Sequence, residues 1–249
     1  MTEKEACEVT NLRHKEILSI LNRDGAISVR SLTKILFVSE ATVRRDLAEL
    51  EKAGALKRTH GGATPILDTN RQIPLFVREE MNSIAKNEIC KKAVALVKEG
   101  DTIFIDGSSS AQYLVKYLSA FKDIIVVTNS IKTAELTCQS QIKTYCTGGK
   151  LIENSLVCVG QEPLDFADKV NLDICFISCK GVDLDGVFSD TSEEETIIRK
   201  KFINVSKTRV MLMTKNKIGC KYFHTLCHAS DVDYLFSDIE IPESIKVGR

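Results

Sequence analysis

Residues 28–63 read SVRSLTKILFVSEATVRRDLAELEKAGALKRTHGGA. Ser28 and Ser39 each stand just ahead of an apolar-periodic segment, where a hydroxyl oxygen accepts the first unpaired amides of a helix. Leu32, Ile35 and Leu36 give the first segment an inward face, and Val43, Leu47 and Leu50, at i, i+4 and i+7, give the second its own. Phe37-Val38 leaves a tight turn between them, and Gly54 stops the second helix. Upstream, Ile17, Leu18 and Leu21 form the stripe of a preceding helix that ends at Asp24-Gly25. Two short helices joined by a tight turn, over about residues 27–46, have helix-turn-helix order.

In such a motif the N-terminal part of the second helix points into the major groove of DNA. Ser39, Thr42, Val43, Arg44 and Arg45 fill that part, so they form the expected reading set. Hydroxyls and small side chains there reach base edges, and arginines fork onto guanine or clamp phosphate. An Arg-Arg pair on an isolated helix would merely solvate it; the three-helix setting favours the reading role. The next stretch, Ala55 to Ala63, alternates apolar and basic residues into Gly61-Gly62, as a β-ribbon with a tight turn does. A basic ribbon behind a recognition helix is a wing, which adds Lys57, Arg58 and His60 to the expected DNA contacts. Residues 11–65 hold ten Lys/Arg against six Asp/Glu, whereas the whole chain balances at 34 of each. The basic excess therefore sits where a polyanion would bind.

The chain has 249 residues, 43% of them hydrophobic and 27% charged, which suits a globular protein of one or two domains. No apolar run approaches the roughly 18 residues that span a bilayer. The first residues, MTEKEACEVTNLRHKE, are too polar for a secretory signal, so a cytoplasmic location without membrane contact is expected. Nine cysteines, an odd number with no CxxC pair, fit reduced buried thiols better than disulfides or a zinc ribbon. No metal and no cofactor is expected.

Residues 66–78 read as a linker between a DNA-binding domain at 10–65 and a larger domain at 79–249. The larger domain opens with a charged amphipathic helix over Glu79–Lys98 and then alternates strands with helices. Strands are expected at Thr102–Ile105, Asp123–Val127, Lys143–Cys146, Leu172–Ser178, Arg209–Met213 and Tyr234–Ser237. Helices are expected at Ala111–Leu118, around Lys132–Cys138, and at Glu193–Val205. This alternation predicts an α/β fold with a doubly wound parallel sheet. In such sheets ligands bind beyond the carboxyl ends of the strands. Three of the loops placed there carry Gly with hydroxyl or amide residues: Asp106-Gly107-Ser108-Ser109-Ser110, Thr128-Asn129-Ser130 and Thr147-Gly148-Gly149. Any one of them is an ordinary turn; three together point to an anionic, hydroxyl-rich ligand.

The combination TVRRDL at 42–47 with RTHGGA at 58–63, spaced as here, resembles the DNA-binding domain of the DeoR family of bacterial regulators, and the resemblance runs through almost the whole chain. It implies a transcriptional regulator, expected to repress a carbohydrate-utilisation operon, with a sensor domain similar in fold to ribose-5-phosphate isomerases and CoA-transferases. It implies operator DNA and a phosphorylated sugar or related metabolite as partners, and a homo-oligomer, dimer or tetramer. The DGSSS loop matches the family's phosphate loop. By that resemblance Asp106 accepts bonds from ligand hydroxyls, Ser108 to Ser110 hold phosphate and Lys217 supplies a cation. Lys180, Gly181 and Glu195 are also expected to line the effector site. Two departures stand out. Thr214 replaces the carboxylate of the family's Asp-Ser-Ser-Lys-Phe-Gly segment, and Lys180 puts a charge into its Gly-Ala-x-Gly-Ile segment.

Two other readings are open at this stage. A sugar-phosphate isomerase or transferase would need a general base, for which Asp106 and Glu195 are candidates. A metal- or redox-responsive regulator would use Cys220, His224, Cys227 and His228, which a helix would gather on one side.

Overall fold

The computed structural model of the chain describes residues 3–66, 73–245 and 247. They divide into two compact units, Met1–Met81 and Asn82–Arg249.

The first unit contains α1 (Glu3–Asp24), β1 (Ile27–Ser28), α2 (Val29–Leu36), α3 (Glu40–Lys52), β2 (Lys57–Thr59), β3 (Gly62–Thr64) and α4 (Leu75–Glu80). Both serine caps form: Ser28 Oγ accepts the Ser31 amide at 3.0 Å and Ser39 Oγ accepts that of Thr42 at 3.2 Å. Ile17, Leu21, Leu32, Val43, Leu47, Leu50 and Leu56 meet in a core closed to water. The strands form an antiparallel sheet in the order β1-β3-β2. Gly62 permits it, because a Cβ there would lie 1.9 Å from the Ile27 carbonyl oxygen.

Three details differ from the sequence reading. Ile35 does not face inward; it is 42% exposed at the end of α2. The expected linker is not wholly irregular: its last residues form α4, whose Val77 is buried in this core, while residues 67–72 lie outside the described residues. The expected single helix over Glu79–Lys98 breaks at Met81-Asn82, where Asn82 adopts a left-handed φ of 55° that its short amide side chain tolerates.

The second unit carries a six-stranded sheet, every pairing parallel, in the order β14-β12-β9-β4-β5-β6. Its strands are β4 (Thr102–Ile105), β5 (Ile125–Thr128), β6 (Lys143–Cys146), β9 (Leu172–Ile177), β12 (Ser206–Met213) and β14 (Tyr234–Ser237). Helices α5 (Ser83–Ala93), α6 (Val115–Leu118), α7 (Ile131–Gln139), α8 (Gln161–Ala167) and α9 (Glu193–Val205) accompany them. Successive strand residues go to opposite faces. Ile103 and Ile105 join the cluster of Ile89, Cys90 and Ala93 from α5, while Phe104 stacks on Phe202 of α9 at 3.7 Å between ring centroids. The winding reverses between β4 and β9, and in a sheet of this kind the crevice lies at that point.

Sequence periodicity missed the smaller strands. A hairpin, β7 (Lys150–Ile152) and β8 (Val157–Val159), follows β6. A second antiparallel sheet joins β10 (Gly181–Val182), β11 (Val187–Asp190) and β13 (His224–His228). The strand β13 overturns the helix on which the Cys/His metal reading rested. The pairing with β11 shifts register between Phe188 and Ser189, so the adjacent Leu226 and Cys227 both pack on the core while His228 stays exposed. Among the described residues, one group of His, Cys, Asp or Glu is tight enough for a metal: His14, Asp46 and Glu49. There the Arg13 guanidinium already grips both Asp46 oxygens.

Candidate functional site

The first unit offers a basic surface built on the cap of α3. Ser39 and Arg44 are exposed, Arg45 likewise, and Thr42 is half-buried with its hydroxyl 2.9 Å from Ser39 Oγ. Arg44 lies 3.5 Å from the Glu40 carboxylate, both about half exposed; so solvated a pair is weak and free to exchange for phosphate. Val43 is a correction: it has no exposed surface and belongs to the core, as its place with Leu47 and Leu50 requires. Asp46 on the same inner face takes the Arg13 fork, a bond that holds the Arg13 guanidinium above its ordinary range and pins α1 to α3. On the wing Lys57, Arg58 and His60 are exposed. The Arg58 amide donates to Glu51 Oε1 at 2.9 Å, which ties the wing to the end of α3.

In the second unit the loops beyond β4, β5 and β9 converge at the winding reversal. The centre is Arg199 of α9, 6% exposed. Its Nε donates to Asp106 Oδ2 at 3.0 Å, one terminal nitrogen to Asp190 Oδ2 at 2.9 Å and the other to Glu195 Oε2 at 2.7 Å. Burial alone would pull this guanidinium down; Asp190, Glu195 and Asp106 reverse that and hold it above its ordinary value. Asp106 also accepts the amides of Ser108 at 3.0 Å and Ser178 at 3.2 Å, and Glu195 accepts the Ser155 hydroxyl at 2.9 Å. The Asp106 carboxylate ties β4 to β9 and α9 and is engaged by protein donors, as that of Glu195 is.

Around this knot the hydroxyl loops are arranged. Gly107 lets Val157 of the hairpin close in, since a Cβ would lie 1.9 Å from Val157 Cγ1. Thr128 Oγ1 donates to the Ile105 carbonyl at 2.7 Å and accepts the Ser130 amide at 3.0 Å, so Thr128 is interior support. Ser130 Oγ caps α7 through the Thr133 amide. Asn129 donates through Nδ2 to the Cys158 carbonyl at 3.0 Å. Ser108 Oγ accepts the Ala111 amide at 3.1 Å. The Asn129 side-chain Oδ1 and the Ser110 hydroxyl, both buried, have no protein partner, and such atoms cost roughly 1–3 kcal/mol each unless something else satisfies them. Gly148 and Gly149 lie beyond β6, where Gly149 packs on the Val159 carbonyl.

Two ammonium groups reach this region. Lys217 Nζ donates to Ser178 Oγ at 2.7 Å. Lys86 of α5, 3% exposed, donates to Ser109 Oγ at 2.9 Å. Sequence reasoning missed Lys86, because in SIAKNEICKK it looks like any surface lysine. It also missed Arg199, Asp190, Ser155 and Ser178, whose meeting only the tertiary fold creates. Of the two departures, Thr214 is buried and bonds Asn216 at 2.6 Å, and Lys180 holds its ammonium 5.1 Å from the centre of the Tyr222 ring, beside Gly181. Burial pushes the thiols of Cys90, Cys175 and Cys179 up to about 12, so these are inert packing groups.

Residues 13–69 match the family model of the DeoR-like helix-turn-helix domain, and residues 81–239 match that of the DeoR C terminal sensor domain. The HTH-type transcriptional regulator YulB of Bacillus subtilis (strain 168) is 35% identical over 236 residues, 94% of this chain and 91% of its own. The glycerol-3-phosphate regulon repressor of Haemophilus influenzae is 27% identical over the same shares, 94% and 91%. A solved ribose 5-phosphate isomerase from Plasmodium falciparum superposes over 57% of this chain and 54% of its own, at 18% identity and a TM-score of 0.42. With a recognition helix and wing in the first unit and a sensor sheet in the second, both matched along their lengths, the chain belongs to the DeoR family of helix-turn-helix transcriptional regulators.

Proposed function

We propose that this regulator represses a carbohydrate-utilisation operon and that a phosphorylated sugar or polyol, bound beyond the carboxyl ends of β4, β5 and β9, sets its grip on the operator. The observation that carries this reading is Lys86, a buried ammonium aimed at Ser109 in a Gly/Ser loop at the winding reversal. A buried cation among serine hydroxyls suits a phosphate. Ser110, Asn129 and Lys217 supply further donors and acceptors for the phosphate and the sugar hydroxyls. The kinship with a glycerol-3-phosphate regulon repressor supports both the ligand class and the sign of regulation.

The isomerase reading is disfavoured by the same geometry. Asp106 and Glu195 are each held by Arg199 and by a further donor, so neither is placed as a proton acceptor for a substrate. The protein acts in the cytoplasm, where operator DNA and phosphorylated sugars meet. Among the described residues no helix is long and apolar enough to cross a membrane. It works as a homo-oligomer, because one winged helix reads only a few base pairs while paired heads read two half-sites. Sedimentation at micromolar concentration is expected to show a dimer or tetramer, and a monomer that still binds operator specifically would refute this. Ligand coupling of about 1–3 kcal/mol would change operator affinity some 5–150-fold.

A melting-temperature screen against aldose phosphates, polyol phosphates and their unphosphorylated counterparts tests the proposal. A phosphorylated ligand at a hundredfold excess over its Kd is expected to add about 2.7 kcal/mol to stability. Lys86→Gln is expected to abolish that gain while leaving operator binding intact. If only unphosphorylated sugars raise the melting temperature, or if Lys86→Gln responds as wild type does, the phosphate assignment is wrong.

A further inference from the structure

Phe37 closes α2 in the left-handed region, with φ 53° and ψ 39°. A bulky L-residue is strained there, and glycine or asparagine would hold the same turn without that strain. The fold gains nothing in return, since the side chain is 92% exposed, the most exposed large apolar group among the described residues. Neighbouring Leu36 and Val38 pack against the core and Phe37 does not. A strained residue that does nothing for its own fold is a sign of function.

Its position says what it meets. Phe37 lies two residues before Ser39, the cap of the recognition helix, and the exposed cations Arg30, Lys34, Arg44 and Arg45 are on the two helices it joins. A surface so charged suits a polyanion, and the apolar group that a polyanionic duplex offers in its major groove is the thymine C5-methyl. We propose that Phe37 is a specificity-determining residue that packs on a thymine methyl at the edge of each half-site. Arg44 and Arg45 supply charge; Phe37 supplies an apolar reading that adds nothing to the phosphate count.

The test begins with a randomised duplex pool, selected in parallel with the full-length wild type and with Phe37→Gly. Wild type is expected to enrich a thymine at a flanking position that the variant leaves unselected. On the duplex selected by wild type, Phe37→Gly is expected to bind about tenfold more weakly. Its salt slope should be unchanged, because no phosphate contact is lost. Replacing the flanking thymine by deoxyuridine, which lacks only the methyl, should weaken wild type and leave the variant unaffected. The melting temperature of the variant should not fall; should glycine prove too loose, Phe37→Asn keeps the left-handed turn and is expected to behave identically. Equal affinity of wild type and variants, an identical selected site, or an equal response of both to deoxyuridine overturns the proposal. So does a loss of self-association in Phe37→Gly, which would make the ring a contact between copies of this chain.

Discussion

Arg199→Met is expected to destabilise the sensor unit by roughly 3–5 kcal/mol, because it leaves buried carboxylates without their counter-charge. Three side chains depend on this one guanidinium, namely Asp106, Asp190 and Glu195. Each lies within 3.0 Å of it, and Asp106 and Glu195 are nearly closed to water. Methionine matches the stem in volume, so the loss is electrostatic and not a cavity. Arg199→Lys keeps the charge but not the planar fork, and is expected to recover only part of the loss, since an ammonium cannot aim at three carboxylates set around a plane. Asp190→Asn removes a single arm and should cost less than either. Urea unfolding of the full chain, followed by circular dichroism, reads these differences. A shift below about 1 kcal/mol for Arg199→Met would show that the network does not hold β4, β9 and α9 together.

The network also marks where sequence reasoning stops. The helix Glu193–Val205 is legible to the residue, yet its EEETIIRKK start reads as a solvated face with i,i+4 pairs. Only the approach of Asp106, 93 positions away, turns Arg199 inward. Lys86 is hidden for the same reason. The central parallel strands β4, β5 and β9 were legible because each is a short, largely buried apolar run, and their carboxyl-end loops follow from the alternation. Strand β13 was not, because CKYFHTLCH supports a period of two and a helical period almost equally over so few residues. Val43 entered the reading set through its place in the TVRR run, although its spacing from Leu47 and Leu50 already put it inside. The break at Met81-Asn82 left no signal beyond an asparagine, which many helices carry.

Arg44→Ala combined with Arg45→Ala is expected to weaken operator binding by about 30-fold or more at physiological salt. Each arginine that forks onto guanine or clamps phosphate contributes about 1–3 kcal/mol, and the helix N-terminus offers no substitute cation. The two side chains are exposed on α3 and outside the core that Val43, Leu47 and Leu50 form. The substitution therefore leaves the fold intact, and alanine's helix propensity favours α3 slightly. The plot of log affinity against log salt should become shallower by about one unit for each phosphate contact removed. The sensor unit should melt as before and respond to its phosphorylated ligand as before, which separates loss of reading from loss of structure. Val43→Ala is the contrasting case: it opens the core of the same helix, so its effect should appear as a lower melting temperature with no change in salt slope. A double arginine variant that binds the operator as tightly as wild type, with the same slope, would place the DNA-reading surface elsewhere than on the first turns of α3.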